Sequence, residues 1–223
     1  MSATPTALLA GATGAVGTRL LEILLARNDG TRVLTVGRRA PSLSHARLEH
    51  IDAQLCDFHR ALADHRCTEA YCCLGTTMRK AGSRSAFSAV DLDGVAGFAR
   101  AASAAGAGFF GLVSAAGADA RARNFYLRTK GAAEAAVEAL DFPSLVIMQP
   151  GLLRGRRAEF RAGESAAQLA APVLDRLLVG GLARYRSVST EAVAVALDAA
   201  ARRCPPGTSR LDAAGIEALA SGR

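Results

Sequence analysis

A doubly wound α/β fold around a parallel sheet is the architecture this sequence predicts, and two observations carry the prediction. Short apolar runs of strand type alternate with longer segments of helical periodicity through the first two-thirds of the chain. Glycines at 11, 14 and 17 stand where the first of those runs meets the first helical segment.

The elements follow in order. Ala7–Ala10 reads as a short strand, and Ala15–Arg27 as a helix with apolar residues at Val16, Leu20, Ile23 and Leu24. Arg32–Val36 predicts a second strand and the stretch around Leu48–Ala53 a third. Ala70–Leu74 is the fourth strand, and a helix is centred on Asp91–Ala105. Phe109–Ser114 is the fifth strand, Asn124–Leu140 a long Ala-rich helix, and Leu145–Met148 the sixth strand. Strands separated by helices in this rhythm give parallel pairing with helices on both faces. Beyond Pro150-Gly151 the regularity weakens, with a helix expected at Thr190–Arg203.

The segment Gly11-Ala12-Thr13-Gly14-Ala15-Val16-Gly17 has the spacing G-x-x-G-x-x-G at a strand-to-helix junction. Glycine there permits a tight turn, close backbone approach to a pyrophosphate and tight helix–strand packing. The helix start then presents unpaired N–H groups and the positive end of its dipole. That combination predicts a Rossmann-like dinucleotide site. Residues 1–223 are expected to form one NAD(P)-binding domain, with a cofactor core over about 5–150 and a small C-terminal substrate or lid segment over about 151–223.

Cofactor choice is read at the end of the second strand. An NAD enzyme usually carries an acidic residue there for the ribose hydroxyls. Arg38 and Arg39 stand here instead, and two guanidiniums suit a 2′-phosphate, so NADP(H) is expected over NAD(H).

Tyr126 and Lys130 lie four residues apart, on one face of the predicted helix. An ammonium beside a phenol favours phenolate, so the expectation is a Tyr126 pKa drawn down toward working pH. Such a phenol can exchange a proton with a carbonyl or alcohol oxygen. Lys130 could also reach the nicotinamide ribose. Ser114, twelve residues before Tyr126 at the fifth strand's end, could orient the same carbonyl.

Charge and cysteine use exclude other classes. The formal charge is +7, yet the 25 arginines are scattered and form no dense stripe, which speaks against a nucleic-acid surface. Five cysteines and four histidines show no metal-ligand spacing, and the adjacent Cys72 and Cys73 read as small core residues pointing to opposite faces of a strand. No apolar stretch approaches the ~20 residues of a membrane span, and no charged leader precedes the first strand. A cytoplasmic protein is expected.

These residues together resemble the atypical short-chain dehydrogenase/reductases of the Tat-interacting protein oxidoreductase family, from Leu8 to about Glu164. The specific pieces are Cys72-Cys73-Leu74-Gly75-Thr76-Thr77, Lys80-Ala81-Gly82, Ser114 with Gly117-Ala118-Asp119, and Tyr126 through Lys130-Gly131. Pro150-Gly151-Leu152-Leu153 and the spaced set Arg157, Glu159, Arg161, Gly163, Glu164 add to it. The resemblance implies that Thr13 to Val16 line the pyrophosphate and Arg38 and Arg39 the adenosine phosphate. By the same likeness Leu74 and Gly75 border the adenine ribose, Tyr126 and Lys130 the nicotinamide end, and Leu153 and Arg161 close over the cofactor. Ala115-Ala116 and Arg154-Gly155 depart from the family pattern and bear on the substrate pocket.

Three functions compete on these residues. The first is an NADPH-dependent oxidoreductase acting on a small carbonyl compound or alcohol. The second is an NADPH-binding regulatory or scaffold protein with a protein partner and little turnover. The third, an epimerase or dehydratase holding NAD, shares the loop and the Tyr–Lys pair but is weakened by Arg38-Arg39 and by a C-terminal third short for a sugar-nucleotide site.

Overall fold

The computed structural model describes residues 5–155 and 180–222. Seven strands form one sheet in the order β3-β2-β1-β4-β5-β6-β9, every neighbouring pair parallel. They are β1 (Thr6–Ala10), β2 (Arg32–Gly37), β3 (Leu48–Asp52), β4 (Glu69–Cys72), β5 (Phe109–Val113), β6 (Ser144–Met148) and β9 (Gly207–Leu211). A separate parallel pair joins β7 (Leu153–Arg154) to β8 (Val188–Ser189).

The inner strands are apolar on both faces because both faces are covered. In β1, Ala7 and Leu9 enter one buried cluster while Leu8 and Ala10 enter the other. The first cluster lies under α1 (Ala15–Ala26), with α7 (Thr190–Arg203) packed against α1 and against α8 (Ala213–Ala220). The second lies under α5 (Val95–Ala104), flanked by α2 (Phe58–Ala61) and α6 (Phe125–Glu138). Short helices α3 (Met78–Ala81) and α4 (Arg84–Ser88) follow β4. Cys72 belongs to the second cluster and Cys73 packs on the first, the opposed placement expected of strand neighbours.

Two differences from the expected pattern have physical causes. Part of the stretch expected to serve the substrate, Gly207–Leu211, adds a seventh strand to the sheet beside β6. Its sequence is polar because it is an edge strand with half-exposed faces, so it lacks the apolar signal of the inner strands. The helix expected at Asp91–Ala105 begins as a π-helical turn, Ala89–Gly94, before α5. That wider turn carries Asp91 inward, where the side chain is 1% exposed.

Strand order reverses beside β1: β2 and β3 lie to one side, β4 and the later strands to the other. The crevice outside the carboxyl ends of β1 and β4 is where such sheets hold ligands.

Candidate active site

The corner between β1 and α1 is built by close backbone contacts. Gly11 adopts φ +83°, and a Cβ there would meet the Cys73 carbonyl carbon at 2.5 Å. A Cβ on Gly17 would stand 2.1 Å from the Gly11 carbonyl oxygen. Between them the Gly14 amide donates to that same oxygen at 2.9 Å, and Gly14 caps α1 without a side chain. Thr13 and Gly14 are exposed and Ala15 half-buried, whereas Val16 turns into the core. The first turn of α1 holds no acidic residue to oppose an anion. Free amides, a positive helix end and no competing carboxylate fit the pyrophosphate of a dinucleotide.

Other predicted contacts surround this corner. Arg38 and Arg39 follow β2 directly and are exposed, with no carboxylate partner among the described residues. Leu74 and Gly75 continue from β4, the first half-buried and the second exposed. Leu153 lies in β7, paired with Val188. Arg161 lies outside the described residues, as do Arg157, Glu159, Gly163 and Glu164.

Tyr126 and Lys130 both lie on α6, which Asn124 caps by accepting from the Leu127 amide. Gly131 lets the loop after β5 lie on this helix: a Cβ there would come within 2.2 Å of Asp119 and Ala120 backbone. Tyr126 is 37% exposed, its ring 5.6 Å from that of Phe87. Lys130 is buried, and its Nζ donates to Asp91 Oδ1 at 3.1 Å. The other Asp91 oxygen accepts from the Thr76 amide at 2.8 Å.

This arrangement corrects the expectation for the phenol. Partial burial pushes the Tyr126 pKa above its usual value; Lys130 pulls it down, and Asp91 adds to the upward push. Desolvation thus outweighs the ammonium, and the carboxylate beside Lys130 acts in the same upward sense.

Ser114 follows the end of β5, and its hydroxyl donates to the buried carboxylate of Glu134. Gln149 Nε2 donates to both Glu134 oxygens at 3.0 Å, and Arg210 Nε approaches Oε2 at 3.4 Å. The Ser114 proton therefore already has an acceptor. Beside this network, a cavity of about 290 Å³ is lined by Gly117, Gln149, Arg184, Arg210 and Asp212, among others. It lies past the carboxyl ends of β5, β6 and β9.

Sequence reasoning missed Glu134 and Asp91. Glu134 continues the four-residue ladder of Tyr126 and Lys130, a spacing that could have found it. Asp91 has no local signal, since its partner lies 39 residues away.

A profile described as NAD(P)H-binding matches residues 11–183. The chain belongs to this NAD(P)H-binding family. Within it, Protein HTATIP2 of Rattus norvegicus is 38% identical over 162 residues, covering 71% of this chain and 66% of the rat protein. The alignment thus spans just under two thirds of that relative's length. A fungal member, "Protein fmp52, mitochondrial" of Aspergillus fumigatus, is 32% identical over 214 residues, 91% of this chain and 92% of its own. The resemblance to atypical short-chain dehydrogenases read from the motifs agrees with these relatives. The family member's fold matches that of Bordetella bronchiseptica WbmH in complex with NAD+, with TM-score 0.71, 15% identity and coverage of 98% and 80% of the two chains. Thermotoga maritima UDP-glucose 4-epimerase follows at TM-score 0.68 and 14% identity, over 93% and 76%. Among the described residues no helix is long and apolar enough to cross a membrane.

Proposed function

We propose that this NAD(P)H-binding protein is an NADPH-dependent oxidoreductase acting on a small carbonyl compound or the corresponding alcohol. The observation that carries the reading is a partly exposed Tyr126 one turn before a buried Lys130 on α6, with Ser114 just past β5 and bonded to Glu134 of the same helix. NADPH is preferred to NADH on the strength of Arg38 and Arg39, two exposed guanidiniums at the end of β2.

The roles follow from the chemistry of each group. Thr13 to Val16 line the pyrophosphate, with the amides that start α1 as donors while that of Gly14 stays on the Gly11 oxygen, and Leu74 and Gly75 border the adenine ribose. A bound nicotinamide supplies or takes the hydride. Tyr126 donates a proton to the carbonyl oxygen as its charge develops, and accepts one in the reverse direction. Lys130 steadies the tyrosine's oxygen electrostatically. Ser114 orients the carbonyl once its hydroxyl turns from Glu134. Five free thiols support a reducing compartment, and subcellular fractionation distinguishes cytoplasm from mitochondrion.

Turnover of NADPH over a panel of aldehydes and ketones identifies a substrate, and Tyr126→Phe then tests the acid. The variant binds NADPH as wild type does and loses about 10²- to 10⁴-fold in turnover. Full activity of Tyr126→Phe on that substrate rules the assignment out.

A further inference from the structure

Asp91 is a fully buried carboxylate that a Tyr–Lys pair does not by itself require. It sits on the π-helical turn before α5, and both of its oxygens are engaged. Oδ1 accepts from Lys130 Nζ at 3.1 Å, and Oδ2 accepts from the Thr76 amide at 2.8 Å. Thr76 follows Gly75, whose own Cβ would stand 3.6 Å from Oδ1, so the carboxylate bridges the loop after β4 to the helix that carries Tyr126. A π-turn in that position exposes its side chains at a different angle from an α-turn.

We propose that Asp91 is a positioning residue that fixes the Lys130 ammonium and offsets part of its field, keeping Tyr126 a proton donor and biasing the site toward carbonyl reduction. This inference rests on Tyr126 being the acid of the preceding section. Reduction needs the phenol protonated at the start of the step; alcohol oxidation needs it ionised. An unopposed ammonium would favour phenolate and thus oxidation. With Lys130 6% and Asp91 1% exposed, little water screens the pair, so the carboxylate offsets much of what the ammonium would otherwise do. Desolvation of the phenol against Phe87 acts in the same sense.

The remaining charged groups on the packed elements do not supply this effect. Glu134, one turn beyond Lys130 on α6, is buried and engaged by Ser114, Gln149 and Arg210. Arg128, on α6 itself, donates to the Ala122 and Arg123 carbonyls. Arg84, at the exposed start of α4, lies over the Phe125 ring. Asp93 on the π-turn and Arg100 on α5 are exposed, and Asp57, ahead of α2, is half-buried. Cys72 is buried with its thiol pushed up to about 12, so it stays neutral at working pH.

The decisive experiment is the titration of Tyr126 in Asp91→Asn, read by near-ultraviolet absorbance against Tyr126→Phe as the blank. Rates of reduction and oxidation on an identified substrate accompany it across pH. In Asp91→Asn the phenol titrates about one pH unit or more lower, the alkaline fall-off of reduction moves down with it, and the ratio of reduction to oxidation at neutral pH drops about tenfold. The double variant Asp91→Asn/Lys130→Met removes both charges, a change buried pairs tolerate better than loss of one partner, and titrates close to wild type. NADPH affinity and melting temperature check that both variants fold. An unmoved titration in Asp91→Asn, or a double variant displaced as far as the single, overturns the proposal. Should Tyr126→Phe turn over normally, the acid assignment itself fails, a result separate from the titration.

Discussion

Gly17 lies so close to Gly11 that a methyl group on its α-carbon would sit 2.1 Å from the Gly11 carbonyl oxygen and 2.8 Å from the carbonyl carbon. The same Gly11 oxygen receives the Gly14 amide, so three glycines of the predicted loop meet at one atom. The spacing of the motif thus records a packing requirement between β1 and α1 as well as an approach route for phosphate.

Gly17→Ala should force this corner apart, because the obstruction is backbone and has no flexible end to swing away. The expected loss is about 1–3 kcal/mol of stability, with NADPH affinity falling at least about tenfold. Urea unfolding and calorimetric titration with the cofactor read the two effects separately.

Replacing Arg38 and Arg39 by Ala should weaken NADPH far more than NADH. Charge-assisted hydrogen bonds of about 1.5–3 kcal/mol each imply at least about a tenfold loss for NADPH. Parallel titrations of wild type and variant with both nucleotides check this, and equal affinities in wild type would sink the NADP(H) assignment.

At the opposite end of the sheet, Arg27 ties α1 to β4 and α7. Its Nε donates to Asp198 at 2.7 Å, Nη1 pairs with Glu69, and Nη2 donates to the Tyr71 oxygen at 3.0 Å. Arg27→Ala strands two carboxylates in a poorly hydrated site, and should cost about 3–5 kcal/mol. Thermal and urea denaturation measure it, with NADPH affinity of the folded fraction little altered, since the network is remote from the glycine corner.

Alkaline destabilisation follows from buried thiols. Burial pushes Cys67 up to about 11 and Cys72 to about 12. An unfolded cysteine ionises near pH ~8.5, so above that pH the unfolded chain releases protons that the native state keeps. The contribution is complete below the unfolded value and is lost as pH climbs toward the folded values, at up to about 1.4 kcal/mol per pH unit for each thiol. Urea midpoints measured from neutral to about pH 10.5 should fall, and less steeply in Cys67→Ala/Cys72→Ala. Native-state alkylation should label the exposed Cys56 and Cys204 first.

The inner sheet was readable from its short apolar runs because its strands are buried on both sides: adjacent Leu8 and Leu9 each need a core, and they enter different ones. Strand β9 was not, since an edge strand of Gly, Thr, Ser and Arg carries no apolar pattern. The glycine corner, Ser114, Tyr126 and Lys130 were found because spacing within one turn or one element is local information. Glu134 continues the same four-residue ladder, but its bond to Ser114 spans twenty residues and is not local information.

Periodicity and motif spacing were sufficient for the first six strands and the longer helices between them, for a dinucleotide corner and for a Tyr–Lys pair on one helix, because each depends on residues close along the chain. The state of that pair was settled by folding. Lys130 faces Asp91 and not open solvent, and the phenol is raised and not lowered, because burial and a carboxylate from a distant turn converge on α6. Electrostatic energies depend on distance through space and on exclusion of water, and neither quantity is written in the order of residues.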